Sequence, residues 1–241
     1  MALLIGDGEK LVMTGDSITD CGRARPVGEG GGEGLGRGYV TIVGAVLGAF
    51  HPERLIRVVN TGTSGDQVRH LRKRWKAEVL NLHPDWLSVM IGINDVWRGF
   101  DQPQMKELHV PLAEYEESLD ELVAEAAKVV RGLVLMTPYF LEPNRADPMR
   151  IAMDERCDAV KRVAMARKAI FVDTQAAFDR LLAHRHPMSI AWDRIHPEAV
   201  GHMVIARAFL EGIGFEWPGG GNGTIPGKEA ARLDTHARSG S

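Results

Sequence analysis

The sequence predicts an α/β protein, a three-layer α/β/α sandwich around a central five-stranded parallel sheet. Three observations carry this. Five short apolar runs recur, at residues 11–14, 56–60, 86–91, 132–136 and 170–172. The segments between them are long enough for helices, and several repeat apolar residues at helical spacing. Apolar strands without polar alternation are buried on both faces, and strands joined by helices run parallel through right-handed crossovers.

The elements follow in order. Leu11 to Thr14 reads as the first strand and Tyr39 to Phe50 as a helix. Ile56 to Asn60 is β-branched and apolar, a second strand. Gln67 to Leu82 places Val68, Leu71, Trp75, Val79 and Leu82 at i, i+3 and i+4 spacing, one side of a helix. Trp86 to Ile91 is a third strand. Leu112 to Val130 is a long helix with Tyr115, Leu119, Leu122 and Val123 inward. Gly132 to Met136 is a strand, Pro148 to Arg167 a helix, and Ile170 to Val172 the fifth strand. Ala176 to Ala183 and Pro197 to Leu210 read as the last helices.

Composition narrows the class. A chain of 241 residues, 44% hydrophobic and 25% charged, suits one globular domain with a full core. A formal charge of −3 gives no field that favours nucleic acid or a membrane surface. The basic run Arg69 to Trp75 is read as a solvated helix face. No run approaches the ~20 apolar residues of a membrane span. Residues 1–10 contain Asp7 and Glu9 and no apolar core, so no signal peptide is expected. Cys21 and Cys157 are too few for a disulfide framework and suit a reducing compartment, so a cytoplasmic protein is expected. Residues 1–217 form the expected domain. From Gly219 to Gly223 the chain offers no side chains for a core, so 218–241 is expected to be a disordered tail.

Four loop blocks carry chemistry. Gly15-Asp16-Ser17 follows the first strand, and Thr63-Ser64-Gly65 follows the second. Gly92-Ile93-Asn94-Asp95 follows the third, and Asp193-Arg194-Ile195-His196 precedes the last helix. Ligands in parallel α/β sheets bind at the carboxyl ends of the strands. The first three blocks fall on that edge, which argues for one shared site. A serine hydroxyl is a weak nucleophile until a base takes its proton. Ser17 is the candidate nucleophile, His196 the base, and Asp193 the group that orients the imidazole. The backbone N–H groups of Ser17 and Gly65, with the Asn94 amide, are candidate donors to an oxyanion. Each has a plainer alternative: a helix N-cap at Ser17, a capped surface loop at Asp193–His196, turn residues at Gly65 and Asn94. Asp16 is read as a structural acceptor and Asp20 as a first-turn carboxylate. Trp97, Trp192 and Trp217 are candidate walls of a substrate pocket, or else fill core or interface space. The glycine-rich stretch Gly28 to Gly38 is read as a linker or a flexible lip anchored by Arg23 and Arg25; it lacks the lysine of a phosphate loop. His184 and His186 lack a surrounding ligand set and His202 is read as structural, so neither a metal nor a cofactor is expected.

The four blocks, in this order, resemble the SGNH (GDSL-like) hydrolase superfamily, named for a Ser, Gly, Asn and His here matched by Ser17, Gly65, Asn94 and His196. The stretches 19–26, 90–98, 171–178, 191–193 and 214–217 resemble its acetylxylan esterase branch. The resemblance spans roughly residues 9–217. It implies a flavodoxin-like SGNH fold and a serine esterase, working through an acetyl-serine intermediate. The implied substrate is an acetylated xylo-oligosaccharide, and a homo-oligomer is implied as well. Two other readings stand beside it. One is a short-chain acyl esterase, thioesterase or lysophospholipase with the same triad. The other is a non-catalytic carbohydrate-binding protein.

Overall fold

The computed structural model describes residues 2–218; the tail expected at 218–241 lies, from residue 219 on, outside the described residues. Five strands form the sheet: β1 (Lys10–Gly15), β2 (Arg57–Asn60), β3 (Trp86–Met90), β4 (Gly132–Met136) and β5 (Ile170–Val172). All pairs are parallel and the order is β2-β1-β3-β4-β5, the flavodoxin order. The register pairs Met13 with Asn60 and Gly15 with Met90, so β1, β2 and β3 end along one edge.

The strands are buried on both faces because each supplies two cores. Side chains alternate along a strand. Leu11, Met13, Met90, Val134 and Met136 pack on one face with Tyr39, Leu47, Phe178 and Phe209. Those partners come from α2 (Tyr39–Phe50), α7 (Thr174–Leu182) and α8 (Ala199–Gly212). Val12, Val59, Leu87, Val89, Leu133 and Leu135 face the other way, toward Leu71, Leu119 and Val163. These belong to α3 (Val68–Arg74), α5 (Leu112–Ala126) and α6 (Pro148–Arg167). Each fully buried aliphatic contributes about 1.5–3 kcal/mol relative to exposure. Two further helices, α1 (Ser17–Asp20) and α4 (Ile93–Asp101), sit at the carboxyl edge of the sheet. No helix of the described residues is long and apolar enough to cross a membrane.

Strands, α2 and α6 fall where the sequence placed them, within a residue or so. The helix expected over Gln67–Leu82 does not run through. It is α-helical over Val68–Arg74, widens into a π turn at Trp75–Val79, and tightens into a 3-10 turn at Leu80–Leu82. Leu71, Trp75 and Val79 repeat every four residues, a spacing that drifts about 40° per step on a 3.6-residue helix. The wider π turn cancels the drift and keeps all three buried. The helix expected to Val130 stops at Ala126, where Lys128 and Val129 donate to Glu125 and Ala126 in a tightened last turn. Helix α4 was not foreseen, because the block Gly92–Asp95 was read as a loop, with Asn94 a possible turn residue.

Candidate active site

The first strand delivers the serine. Asp16 leaves β1 in an extended conformation and its carboxylate accepts the Ile18 N–H at 3.0 Å. Asp16 is therefore the N-cap of α1, and Ser17, read above as the alternative cap, is the first helical residue. Its N–H has no acceptor within the helix. Ser17 Oγ lies 2.7 Å from His196 Nε2. His196 Nδ1 lies 2.6 Å from Asp193 Oδ2, while Asp193 Oδ1 accepts the backbone N–H groups of Ile195 at 2.9 Å and His196 at 2.8 Å. Burial works to raise the Asp193 carboxyl, but these donors outweigh it and hold it below the ordinary range. An ionised Asp193 keeps the imidazole proton on Nδ1, which leaves Nε2 to accept from the Ser17 hydroxyl.

The second and third strands deliver the loop 61–66 and Asn94. Gly62 passes so close to α1 that a Cβ there would stand 2.4 Å from the Asp20 nitrogen. Its carbonyl accepts Arg23 Nε at 2.6 Å and Arg25 Nη1 at 3.1 Å. Asp20 is not an ordinary first-turn carboxylate. Its Oδ2 accepts the Ser64 N–H at 2.9 Å, the Ser64 hydroxyl at 3.0 Å and Arg25 Nη2 at 2.6 Å. It thus ties the serine block to the glycine block. Gly65 sits at φ +83 with no heavy atom within 4 Å of where a Cβ would stand, so backbone conformation, not crowding, favours glycine there. Asn94 is buried on α4, and its Nδ2 donates to the Asp66 carbonyl at 3.0 Å.

Beneath these loops lies a buried polar layer that the sequence reading missed. The basic run 69–75 is not all a solvated face. Arg69 and Arg72 pair at the surface with Glu114 and Glu121. Arg74 turns inward, donating to Asp66 Oδ2 at 2.6 Å, to Thr61 O at 2.7 Å and to Gly15 O at 3.1 Å. The signal was present, since Arg74 stands three residues after Leu71 on the apolar stripe. Asp95 accepts the Val68 N–H with both oxygens, at 3.0 and 3.3 Å, and pins the start of α3 to α4. Burial pushes the carboxyls of Asp16 and Asp95 up to about 7.

The tryptophans divide. Trp97 meets the His196 ring edge-on, centroids 5.9 Å apart, and Arg98 lies 4.6 Å over the Trp97 ring. Trp192 adjoins Asp193 and is 77% exposed. Trp217 is not brought to Ser17 within this chain. It packs on Phe215, which packs on Phe50 and His51 at the far end of α2, a 12-residue helix about 18 Å long. The stretch 28–38 is neither a plain linker nor a free lip. Gly28 and Asn60 exchange backbone hydrogen bonds of 3.0 and 2.7 Å, and Glu29 pairs with Arg57, so the stretch starts along the outer edge of β2; further on, the Gly34 carbonyl accepts the Ala24 N–H and the Arg37 N–H donates to the Cys21 carbonyl. His202 is buried and accepts the Tyr39 N–H on Nδ1, leaving Nε2 3.3 Å from Cys21 Sγ. Burial, with the nearby His196, pushes it down to about 4, a neutral structural histidine.

Comparison with known proteins agrees with this geometry. Residues 13–204 match the GDSL-like lipase/acylhydrolase family. The chain is 56% identical over 213 residues to an acetylxylan esterase of Geobacillus stearothermophilus, covering 88% of this chain and 97% of that one. The solved structure of that esterase superposes with a TM-score of 0.88 over 89% of this chain and 98% of its own. An alpha/beta hydrolase enzyme from the metagenome of Lake Arreo, Spain, is 52% identical, with a TM-score of 0.87 over 89% and 99% of the two chains. Solved structures of the Geobacillus esterase include catalytic mutants in which a serine, an aspartate and a histidine are each replaced by alanine. With a family match across most of its length and relatives above half identity, this chain belongs to the GDSL-like lipase/acylhydrolase family and is a carboxylic ester hydrolase.

Proposed function

We propose that this chain is a serine esterase that removes O-acetyl groups from acetylated xylo-oligosaccharides. The observation that carries the mechanism is the unbroken relay from Ser17 Oγ through His196 to Asp193, with contacts of 2.7 and 2.6 Å. Ser17 attacks the acetyl carbonyl as His196 Nε2 takes its proton. The tetrahedral oxyanion accepts from the N–H groups of Ser17 and Gly65 and from Asn94 Nδ2. His196 then returns the proton to the departing sugar oxygen, leaving an acetyl-serine. Water, deprotonated by His196, attacks that ester; acetate leaves and Ser17 recovers its proton.

The substrate class rests on the likeness to the acetylxylan esterase and on the openness of the site. The His196 side chain is 39% exposed and Trp192 stands almost free, room for a bulky sugar bearing a small acyl group. Trp97 and Trp192 are the aromatic faces on which such a sugar would stack. Trp217 serves the site of this chain only from a second copy. The same reading takes the protein to be cytoplasmic and a homo-oligomer, supported by free thiols at Cys21 and Cys157 and by exposed Trp192 and Met188.

The test is acetate release from acetylated xylo-oligosaccharides by wild type and Ser17→Ala, beside esters of longer acyl chains. Loss of about 10⁵–10⁶-fold in kcat is expected for the variant. Turnover that persists in pure Ser17→Ala overturns the triad, and faster cleavage of long acyl chains overturns the substrate class.

A further inference from the structure

We infer that Arg98 is a positioning residue for this reaction, fixing and polarising the Asn94 amide that donates to the oxyanion. The inference rests on the serine-esterase reading above. A primary amide has one carbonyl oxygen and two N–H donors. One Asn94 Nδ2–H is spent on the Asp66 carbonyl at 3.0 Å. The Asn94 oxygen accepts from Arg98 Nη2 at 3.3 Å. The opposite flip would set oxygen against the Asp66 carbonyl and N–H against the guanidinium. The pair of contacts therefore dictates one orientation and leaves the second Nδ2–H for substrate. A guanidinium donates and does not accept, so it can meet the amide oxygen but not the amide N–H.

Arg98 is itself held. It stands one turn after Asn94 on α4, at the i, i+4 spacing that brings side chains together. Its guanidinium lies over the Trp97 ring and its Nη1 donates to Asp101. The side chain is only 22% exposed, so water screens the charge weakly. A cation beside the amide oxygen draws electron density from the nitrogen and strengthens the remaining N–H as a donor. That gain grows as negative charge develops on the substrate oxygen, so it belongs to the transition state more than to binding.

The experiment is a kinetic cycle on acetate release, with Ser17→Ala, Arg98→Ala, Arg98→Lys, Asn94→Ala and Asn94→Ala/Arg98→Ala, and Tm recorded for each. Arg98→Ala is expected to lower kcat about ten-fold with KM within about two-fold, the loss of one charged hydrogen bond. Arg98→Lys recovers part of this, because an ammonium still donates but does not stack flat. Asn94→Ala loses about 10²–10³-fold. The double variant is expected within about three-fold of Asn94→Ala, since Arg98 has nothing left to act through. Multiplied losses in the double variant, or a raised KM at unchanged kcat, overturn the inference. If Arg98→Ala does not fold, Arg98→Lys with and without Asn94→Ala completes the same cycle. An active Ser17→Ala sinks the esterase reading itself. An inactive Ser17→Ala beside a fully active Arg98→Ala sinks only the role of Arg98.

Discussion

The two halves of the site are built differently. The serine, glycine and asparagine blocks stand on the ends of β1, β2 and β3 over a buried polar layer. Arg74 and Asp66, side chains 9% and 10% exposed, tie their backbones together. The acid–base half is a loop before α8 that no strand delivers directly, although it meets Ser17 at the same edge. Arg194 there is 45% exposed, at φ +64, and the loop hangs on α6's approach: Tyr139 donates to the Ile195 carbonyl at 3.0 Å, Leu141 N–H to the Arg194 carbonyl at 3.0 Å, and Glu142 pairs with Arg194. In the first half the groups that place the chemistry also hold the fold. In the second they are separable. Substitutions in the first should cost stability and turnover together; substitutions in the second should cost turnover alone.

The largest expected effect on the first half is Arg74→Met. Methionine fills the volume but leaves Asp66 buried and uncompensated and strips donors from Thr61 O and Gly15 O. Breaking a buried pair by removing one partner costs about 3–5 kcal/mol. Urea unfolding should show that loss, with turnover falling in parallel. A loss below about 1 kcal/mol, the size typical of an exposed pair, would break the comparison.

This asymmetry also marks what the sequence could show. The residues that the structure brings together, Ser17, Asp193 and His196, were legible as types and spacing: a serine after an apolar run, and an aspartate and a histidine three apart before the last helix. The two cores were legible from uninterrupted apolar strands. The buried partners of Arg74, Asp20 and Asp95 were not read, because each reaches far along the chain: Arg74 to Thr61 and Gly15, 13 and 59 positions away, Asp20 to Ser64, 44 away, and Asp95 to Val68, 27 away. Charged residues are exposed by default, and only the fold reveals the carbonyls that bury one. The bridge from Gly28 to β2 was hidden for the same reason: a glycine-rich stretch has no periodicity, and the start of this one is set by the free edge of Asn60.

A smaller effect separates the halves by pH. In the first half burial raises Asp95 from 3.8 to about 7; in the second, hydrogen bonds hold Asp193 down. The signs are opposite. Between pH 4 and 7 native Asp95 binds more protons than the unfolded chain, so its contribution to stability falls as pH rises. Asp193 contributes above its unfolded value and loses that only as pH falls through its lowered native one. Asp95→Asn removes the first slope while its amide oxygen still accepts from Val68. Between pH 5 and pH 8 the variant should gain about 2–3 kcal/mol on wild type in urea unfolding. An equal difference at both pH values would mean that Asp95 is not held protonated by burial.

The smallest effect tests the separable half. Glu142 bonds the Asn144 N–H at 2.8 Å through Oε1 and pairs with Arg194 through Oε2. Glu142→Gln keeps one carbonyl oxygen and the side-chain shape, and removes only the charge that holds Arg194. Because the Arg194 side chain is 45% exposed and water screens the pair, stability should change by less than about 1 kcal/mol. The Arg194 φ of +64 costs about 1 kcal/mol or more to hold, so a weaker anchor lets the loop relax and moves His196 off Ser17. Misplacement well under the 1 Å that costs about 100-fold should lower kcat by roughly three- to ten-fold with KM unchanged. Glu142→Gln that destabilises as strongly as Arg74→Met would show that the acid–base loop, too, is part of what holds the fold.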